Sequence, residues 1–409
     1  MRPAVHFTPT SGWVNDPHGI TARNGGYDVF FQHVPGSTEW APNCHWGHAA
    51  GADLLSLRER AVALAPGGGD DGIWTGSIVD DGRSARAFYT AVSTPDFGIG
   101  RVRVARPTDA SWDKWEKGDV VVEAPEGLAI VAYRDPFIRP EGDRWRMFVG
   151  AAGADGTAMA LTYVSHDLDR WVYDGVALER HTSERDPVWT GALWECPQVF
   201  TIDGHDVMLS SIWDADELHY AAYATGMFRE GRFQVQRWGR LTWGSSYYAP
   251  SLFTDKDGEP AVTFWLRGIR GNGWAGAHSI PFRLHADAGA LIARPHPDVA
   301  AHRTPRADDG RVTGLAADIE WTAADGELDI RSGGQLLVTM TRAGGEVSVD
   351  AGGESVRIPV AGPVRIIVDG PIVEVCSDGG IYACAVSPAG QGLAVTAAAG
   401  TYSVYGLVR

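Results

Sequence analysis

The sequence lacks the marks of several large protein classes. It contains no run of about 18 apolar residues, which argues against a membrane-spanning helix, and its N-terminus has no apolar stretch of the kind that forms a signal peptide. It has neither a GxSxG motif nor a glycine-rich phosphate loop, so an α/β serine hydrolase and a nucleotide-binding enzyme are disfavoured. The chain as given predicts a cytoplasmic protein that has no membrane partner.

Cysteine is scarce. The four cysteines are scattered along the chain: Cys44, Cys196, Cys376 and Cys384. They show no CxxC spacing of a zinc site. A two-residue turn at positions 378–379 would pair Cys376 with Ile381 rather than with Cys384. We therefore expect four free thiols, which fits a reducing compartment.

Positive charge is in deficit, with 35 lysines and arginines against 51 aspartates and glutamates and a formal net charge of -16. A chain with this balance repels phosphate backbones, so a nucleic-acid partner is excluded. The 409 residues, 44% of them apolar, exceed the size of one small domain, and two domains are expected. The oligomeric state stays open.

Short segments recur along the first 295 residues. The copies are NDPHGI, TGSIV, RDPFI, ECPQVF and YAPSLF, and Pro17, Gly76, Pro136, Pro197 and Pro250 in them are separated by 59, 60, 61 and 53 residues. A second segment rich in aromatic and β-branched residues follows each copy, which is strand composition. Five such units with little helix favour a five-bladed β-propeller over a β-sandwich or a β-solenoid.

The pattern changes after residue 295. Residues 296–310 are polar and proline-rich, and they predict a linker. Alternating strand patterns such as QLLVTMT, VRIIVDG and IYACAV then follow over residues 311–409, with turn residues between them. They predict a β-sandwich. The expected organisation is thus an all-β chain with a propeller at 1–295 and a sandwich at 311–409.

Three acids lie in the repeated segments. Asp16, Asp135 and Glu195 occupy nearly equivalent positions in three of the five units, at the start of a predicted innermost strand. The innermost strands of a propeller line one axis, so these side chains should converge. Paired carboxylates are the requirement of glycoside hydrolysis, where one acts as acid and the other as nucleophile or base. A purely structural alternative is that Arg134 neutralises one of these acids. It would account for a single acid, but it accounts poorly for three acids at equivalent positions of three units.

Tryptophan is abundant, with 16 residues. Several lie beside the acidic motifs, and indole rings are natural platforms for the apolar faces of sugars, although most tryptophans of a propeller pack its core. His45 and His48 have a spacing seen in metal-ligand pairs, but on a strand it does not place both on one face. We expect no metal and no cofactor.

On these residues the chain resembles glycoside hydrolase family 32, the family of invertases, exo-inulinases and levanases. The resemblance rests on WVNDPHG from Trp13, on Arg134-Asp135-Pro136 and on Glu195-Cys196, with further likeness in HWGHAAGADLL, WTGS, YYAPS and IIVDGPIVEVCSDGG. It spans nearly the whole chain. It implies a five-bladed propeller followed by a β-sandwich, in agreement with the repeat.

The resemblance also implies a retaining reaction on β-fructofuranosides such as sucrose, short fructo-oligosaccharides or related fructans. Asp16 would attack the anomeric C2, Glu195 would act as acid and then as base, and Asp135 would stabilise the transition state. The residues implied to bind or surround the sugar are Asn15, Gln32, Trp40, Trp74, Ser77 and Arg134. Two positions depart from the family pattern: His18 replaces an asparagine, and Ser246 replaces an aspartate, which puts a sucrose preference in doubt.

Three other readings stay open. A fructosyltransferase would use the same covalent intermediate and pass it to a sugar instead of water. A sugar-binding propeller without activity would be expected to lack the nucleophile or the acid, and both are present. An inverting propeller glycosidase would share the shape and three acids but not the WVNDPHG and Glu-Cys motifs.

Overall fold

β-Strands make up nearly all of the regular structure. The computed structural model of the protein describes residues 1–409 and contains 34 strands and one five-residue helix. None of its helices has the length and apolarity that a membrane crossing requires.

Three antiparallel units of four strands come first, each with its strands paired in chain order. Their strands are β1 (Gly12–Arg23), β2 (Gly26–Val34), β3 (His45–Gly51) and β4 (Arg58–Glu59), then β5 (Gly72–Asp80), β6 (Ala85–Val92), β7 (Arg101–Pro107) and β8 (Trp115–Val122), then β9 (Ile130–Glu141), β10 (Arg144–Gly153), β11 (Thr157–Ser165) and β12 (Val172–His181). We number these units blades 1 to 3.

Two further units complete the propeller. Blade 4 contains β13 (Leu193–Ile202), β14 (His205–Asp214), β15 (Glu217–Arg229) and β16 (Arg232–Arg240), and after the short β17 (Thr242–Trp243) blade 5 contains β18 (Tyr247–Thr254), β19 (Pro260–Gly271), β20 (Trp274–His278), β21 (Phe282–Asp287) and β22 (Ala290–Pro295). In blade 5, β20 and β21 pair with successive parts of β19. The other edge of β20 pairs with β1, which joins the last blade to the first.

The innermost strands close a ring. Each of β1, β5, β9 and β13 contacts the first strand of the next blade, and β18 contacts β1. The predicted five-bladed propeller is therefore confirmed, and the repeated segments are its innermost strands. The segments predicted to follow them are the second strands β2, β6, β10, β14 and β19, which are almost entirely buried because the blades on either side cover both faces.

Every innermost strand carries a β-bulge at the equivalent place. The register against the second strand shifts between Val14 and Pro17, Trp74 and Gly76, Glu195 and Gln198, Tyr248 and Ser251, and opposite Phe148 and Gly150 in blade 3. Proline cannot donate a ladder hydrogen bond, and four of these bulges contain one. Because a bulge bends the strand and redirects a side chain, it determines where the residue before each proline points.

The sandwich contains two sheets. Its strands are β23 (Arg303–Arg306), β24 (Arg311–Val312), β25 (Ala316–Thr322), β26 (Gly326–Ser332), β27 (Gln335–Ala343), β28 (Glu346–Ala351), β29 (Glu354–Pro359), β30 (Val364–Asp369), β31 (Ile372–Ser377), β32 (Gly380–Ala385), β33 (Leu393–Ala397) and β34 (Thr401–Leu407). One sheet has the order β24-β33-β26-β27-β28-β29 and the other β32-β31-β30-β25-β34-β23, with β17 at its edge. Cys376 pairs with Ile381 as predicted, and all four cysteines are free and buried.

Residues 296–310, predicted as a linker, are structured. They contain α1 (Pro297–Ala301), whose N-cap side chain, His296, accepts a hydrogen bond from the amide of Asp298, and then β23, which pairs with β34 of the sandwich. The proline at the first helical position suits a helix start because its missing N–H has no intrahelical partner in any case. The polar composition of this segment fits its position at the surface, because five of the nine residues of α1 and β23 are exposed.

Candidate active site

Three carboxyl groups meet at the axis, each presented by a bulge. Asp16 precedes Pro17 on β1, Asp135 precedes Pro136 on β9, and Glu195 lies two residues before Pro197 on β13. Asp135 has φ 67°, in the left-handed region, and Cys196 has φ 50° at the matching position of blade 4. A non-glycine residue in this region costs about 1–3 kcal/mol, and such residues cluster where function depends on an unusual backbone.

Asp16 accepts hydrogen bonds on both carboxyl oxygens. The Nδ2 of Asn15 donates to Oδ1 at 3.0 Å, while the Nε2 of Gln32 and the Oγ1 of Thr75 donate to Oδ2 at 2.9 and 2.6 Å. Burial raises the pKa of Asp16 above its usual value, the Thr75 hydrogen bond opposes that rise, and the charge of Glu195 adds to it. The donors favour the ionised form against this rise and fix the direction of the carboxylate, which a nucleophile requires.

Asp135 is 4% exposed and lies beside Cys196. Its Oδ2 accepts from the Cys196 amide at 3.0 Å, and its own amide donates to the Oγ1 of Thr90 at 2.8 Å. Burial and then the charge of Glu195 raise the pKa of Asp135 to about 8, against the opposing effect of Arg134. This carboxyl therefore holds its proton to higher pH than an ordinary aspartate, and in its protonated form it can donate as well as accept a hydrogen bond.

Glu195 is held between a cation and a phenol. The Nε of Arg134 donates to Oε1 at 2.9 Å, and the hydroxyl of Tyr248 donates to Oε2 at 2.5 Å. A phenol oxygen can also accept a hydrogen bond, so Tyr248 can hold Glu195 in its ionised or its protonated form. An acid that must give up and regain a proton within one catalytic cycle needs such a neighbour.

Five of the six residues expected around the sugar contact the carboxyl groups or lie beside these contacts. Asn15 and Gln32 contact Asp16, and Arg134 contacts Glu195 with its guanidinium carbon 5.9 Å from the ring of Trp74. Trp40 stands edge-on to Trp74 at 5.9 Å between centroids and is 47% exposed, so it forms an outer wall.

Ser77 forms no hydrogen bond with the three acids. Its hydroxyl is buried, has no hydrogen-bond partner among the protein atoms and lines a cavity of about 60 Å³ that Thr75 and Asp135 also line. Thr75, two residues earlier, is the β5 residue that donates a hydrogen bond to Asp16. The β-bulge between Trp74 and Gly76 lies beside it, and the WTGS motif alone does not reveal this contact.

His18 lines the same cavity, which Asp135 also lines. Its ring packs on Trp46 with centroids 4.1 Å apart, and burial holds its pKa well below the usual value, so it is neutral. Tyr248 is the other contact residue that the sequence analysis did not name. Its motif, YYAPS, was the available signal. No three histidine, cysteine or acidic side chains are grouped to hold a metal ion.

Comparison with known proteins identifies the family. The sequence model of the glycosyl hydrolases family 32 N-terminal domain matches residues 6–295. The chain belongs to glycoside hydrolase family 32.

Two curated relatives come from Escherichia coli. The chain is 33% identical to a sucrose-6-phosphate hydrolase over 72% of its own length and 64% of that protein, and 31% identical to a raffinose invertase over 74% of its own length and 66% of that protein. The matched region thus spans just under two thirds of each relative.

Solved structures share the whole fold. The β-fructofuranosidase of Bombyx mori superposes with a TM-score of 0.86 at 23% identity and covers 100% of this chain and 94% of its own. The sucrose-6-phosphate hydrolase of Lactobacillus gasseri gives 0.84 at 19% identity, covering 99% and 93%. The arrangement of propeller and sandwich is therefore that of the family.

Proposed function

We propose that the protein releases fructose from β-fructofuranosides by a retaining double displacement. The observation that carries the proposal is the convergence of Asp16, Asp135 and Glu195 at one bulge position of three blades, with Arg134 beside Asp135 and Glu195. The names of the relatives, an invertase and hydrolases of sucrose phosphate, point to the same substrate class.

In the first step one oxygen of Asp16 attacks the anomeric C2 of the fructosyl unit. The bond from C2 to the leaving oxygen breaks as Glu195 gives that oxygen its proton, and a fructosyl ester of Asp16 remains. The hydrogen bonds from Asn15, Gln32 and Thr75 support the role because they favour the ionised form of Asp16 and fix the direction of its carboxylate.

In the second step Glu195, now ionised, takes a proton from water, whose oxygen attacks C2 and frees Asp16. Asp135 hydrogen-bonds the sugar hydroxyls and stabilises the oxocarbenium-like transition state. Arg134 holds Glu195 in position. We propose Asn15, Gln32, Trp40, Trp74, Thr75 and Ser77 as the residues that contact or surround the sugar. The four free thiols support a cytoplasmic setting.

The test is fructose release from sucrose, inulin oligomers and levan oligomers. We expect release by the wild type, loss of at least about a thousandfold in Asp16→Asn, and loss of about 10²–10⁴-fold in Glu195→Gln. Asp350→Asn and Glu346→Gln, exposed on the sandwich, are the matched controls and should keep full activity. Equal activity of Asp16→Asn and the wild type would refute the proposal, and larger oligomers in place of fructose would assign a transferase.

A further inference from the structure

The mouth of the acid-lined pocket is bordered by a defined set of loops. Asp16, Asp135 and Glu195 lie in the first half of their innermost strands, so the pocket opens at the end of the propeller where those strands begin. In an antiparallel blade the connections between the second and third strands, and from the fourth strand to the next blade, return to that end. These connections are residues 35–44, 60–71, 93–100, 123–129, 154–156, 182–192, 215–216, 241–246 and 272–273. We call them the mouth loops.

The mouth loops carry negative charge almost exclusively. Their exposed acids are Glu39, Asp71, Asp96, Glu123, Glu126, Asp155, Glu184, Asp186 and Asp216. Their exposed cations are Arg60, which pairs with Asp113, and Arg185, which lies between Glu184 and Asp186 in sequence and over the ring of Trp189. The acids belong to connections of blades 1 to 4 at the end where the pocket opens.

The arginines near the pocket are already paired. Arg134 donates to Glu195, and Arg270 lies 3.3 Å from Glu39. The guanidinium of Arg267 donates to the carbonyls of Leu218 and His219 at 2.6 and 2.9 Å.

Arg101, at the start of β7, donates through one nitrogen to the Gly69 carbonyl and to the Ser93 hydroxyl. Recognition of a phosphate depends on cationic donors, most effectively the two-pronged face of an arginine, and no arginine at this mouth is free of such partners except Arg185.

We infer that the pocket takes β-fructofuranosides whose leaving group is uncharged and discriminates against phosphorylated ones. The inference rests on the proposed function. A phosphate carries about -1.5 to -2 charges at neutral pH. An acidic cleft lowers the local concentration of such an anion and slows its capture, since charge around a cleft acts on association. A neutral glucosyl or fructosyl unit has no net charge, so the acidic cleft does not repel it.

The experiment compares kcat/KM for sucrose and for sucrose 6-phosphate at an ionic strength of about 0.01 M and of about 1 M, where the screening lengths are about 30 and 3 Å. We expect sucrose to be favoured at least about tenfold at low salt. High salt should narrow the ratio of the two kcat/KM values. It should raise kcat/KM for sucrose 6-phosphate, while kcat/KM for sucrose should change little.

Variants that remove acidic charges test whether the mouth loops cause the discrimination against sucrose 6-phosphate. The triple variant Glu126→Gln, Asp186→Asn, Asp216→Asn should narrow the low-salt ratio severalfold. The matched triple variant Asp325→Asn, Glu346→Gln, Asp350→Asn, on exposed parts of the sandwich, should leave the ratio unchanged.

Three results would overturn the inference: equal or faster cleavage of sucrose 6-phosphate, a ratio that does not respond to salt, or an equal response to both triple variants. In each of these the protein still releases fructose, so the proposed function survives. Failure to release fructose from sucrose, from sucrose 6-phosphate and from the oligomers would refute the proposed function itself and this inference with it.

Discussion

At the residue scale, three carboxyl groups act on one another's charge. Asp16, Asp135 and Glu195 are held close enough for each to affect the charge state of another, and the charge of Arg134 acts on Asp135 and Glu195. Like charges in a buried site cannot all ionise at once, so protons distribute over the group. The hydrogen bonds decide the distribution: Asp16 receives side-chain donors, whereas Asp135 receives one amide and the thiol of Cys196.

Thr75→Val tests the donors on Asp16. The Thr75 hydroxyl lowers the pKa of Asp16, so its removal raises that pKa, and a nucleophile must be ionised. The acid limb of the kcat/KM profile should therefore move to higher pH, with a severalfold loss of activity at pH 5. Thr201→Val removes a surface bond to Asp206 and should leave the profile in place. An acid limb that does not move would contradict the assignment of Asp16.

Asp135→Asn should stabilise the protein at alkaline pH. The pKa of Asp135 is raised to about 8 in the fold, against about 3.9 in an unfolded chain, so the folded state binds the extra proton and stability falls as pH rises from about 4 to about 8. The stability of the variant lacks this dependence on pH. At pH 8 it should gain about 0.5–2 kcal/mol in the free energy of unfolding. Denaturant unfolding at pH 4 and pH 8 measures it, and a destabilised variant at pH 8 would contradict the account.

At the scale of the elements, the bulges connect sequence to site. The five-unit repeat could be predicted from the sequence because the innermost and second strands are rich in apolar residues and recur once in each blade. The direction of a side chain beside a bulge was not readable, which is why the contact of Thr75 with Asp16 was not predicted.

Gly76→Ala tests whether the bulge of blade 2 positions Thr75. A Cβ at Gly76 would lie 1.9 Å from the carbonyl oxygen of Phe88, so the strand must shift. We expect a loss of about 1–3 kcal/mol in stability and a loss of activity. Gly314→Ala, where the nearest atom would be 3.9 Å away, is the control. An active and stable Gly76→Ala protein would show that the bulge does not matter.

At the scale of the whole molecule, the N-terminal segment ties the propeller to the sandwich. The ring of His6 lies between Asp369 and Glu374, at 2.8 and 3.0 Å, and the hydroxyl of Tyr247 from blade 5 also contacts Glu374. One hydrophobic core runs through both domains beside this cluster, with Phe264 on the propeller side among its members. The sandwich thus supports the blade whose β18 presents Tyr248 to Glu195.

His6→Gln tests this connection. The two carboxylates raise the pKa of His6 to about 9 despite its burial, so its contribution to stability is complete below about pH 6.5 and is lost as pH rises through about 9. The variant leaves both carboxylates without their cation and should lose about 3–5 kcal/mol at pH 6.5 and less at pH 10. His205→Gln, on the hairpin of blade 4, should change little. A deficit that grows with pH would contradict the assignment.

The central claim is that Asp16 becomes covalently bonded to fructose, and its most direct test uses Glu195→Gln with β-fructofuranosyl fluoride. Fluoride leaves without protonation, so the first step proceeds, while the second step is slow without its base. After a rapid acid quench and digestion, mass spectrometry should find the peptide that contains Asp16 heavier by one fructosyl unit. An adduct on the peptide of Asp135, or fluoride release with no adduct on any peptide, would contradict the account.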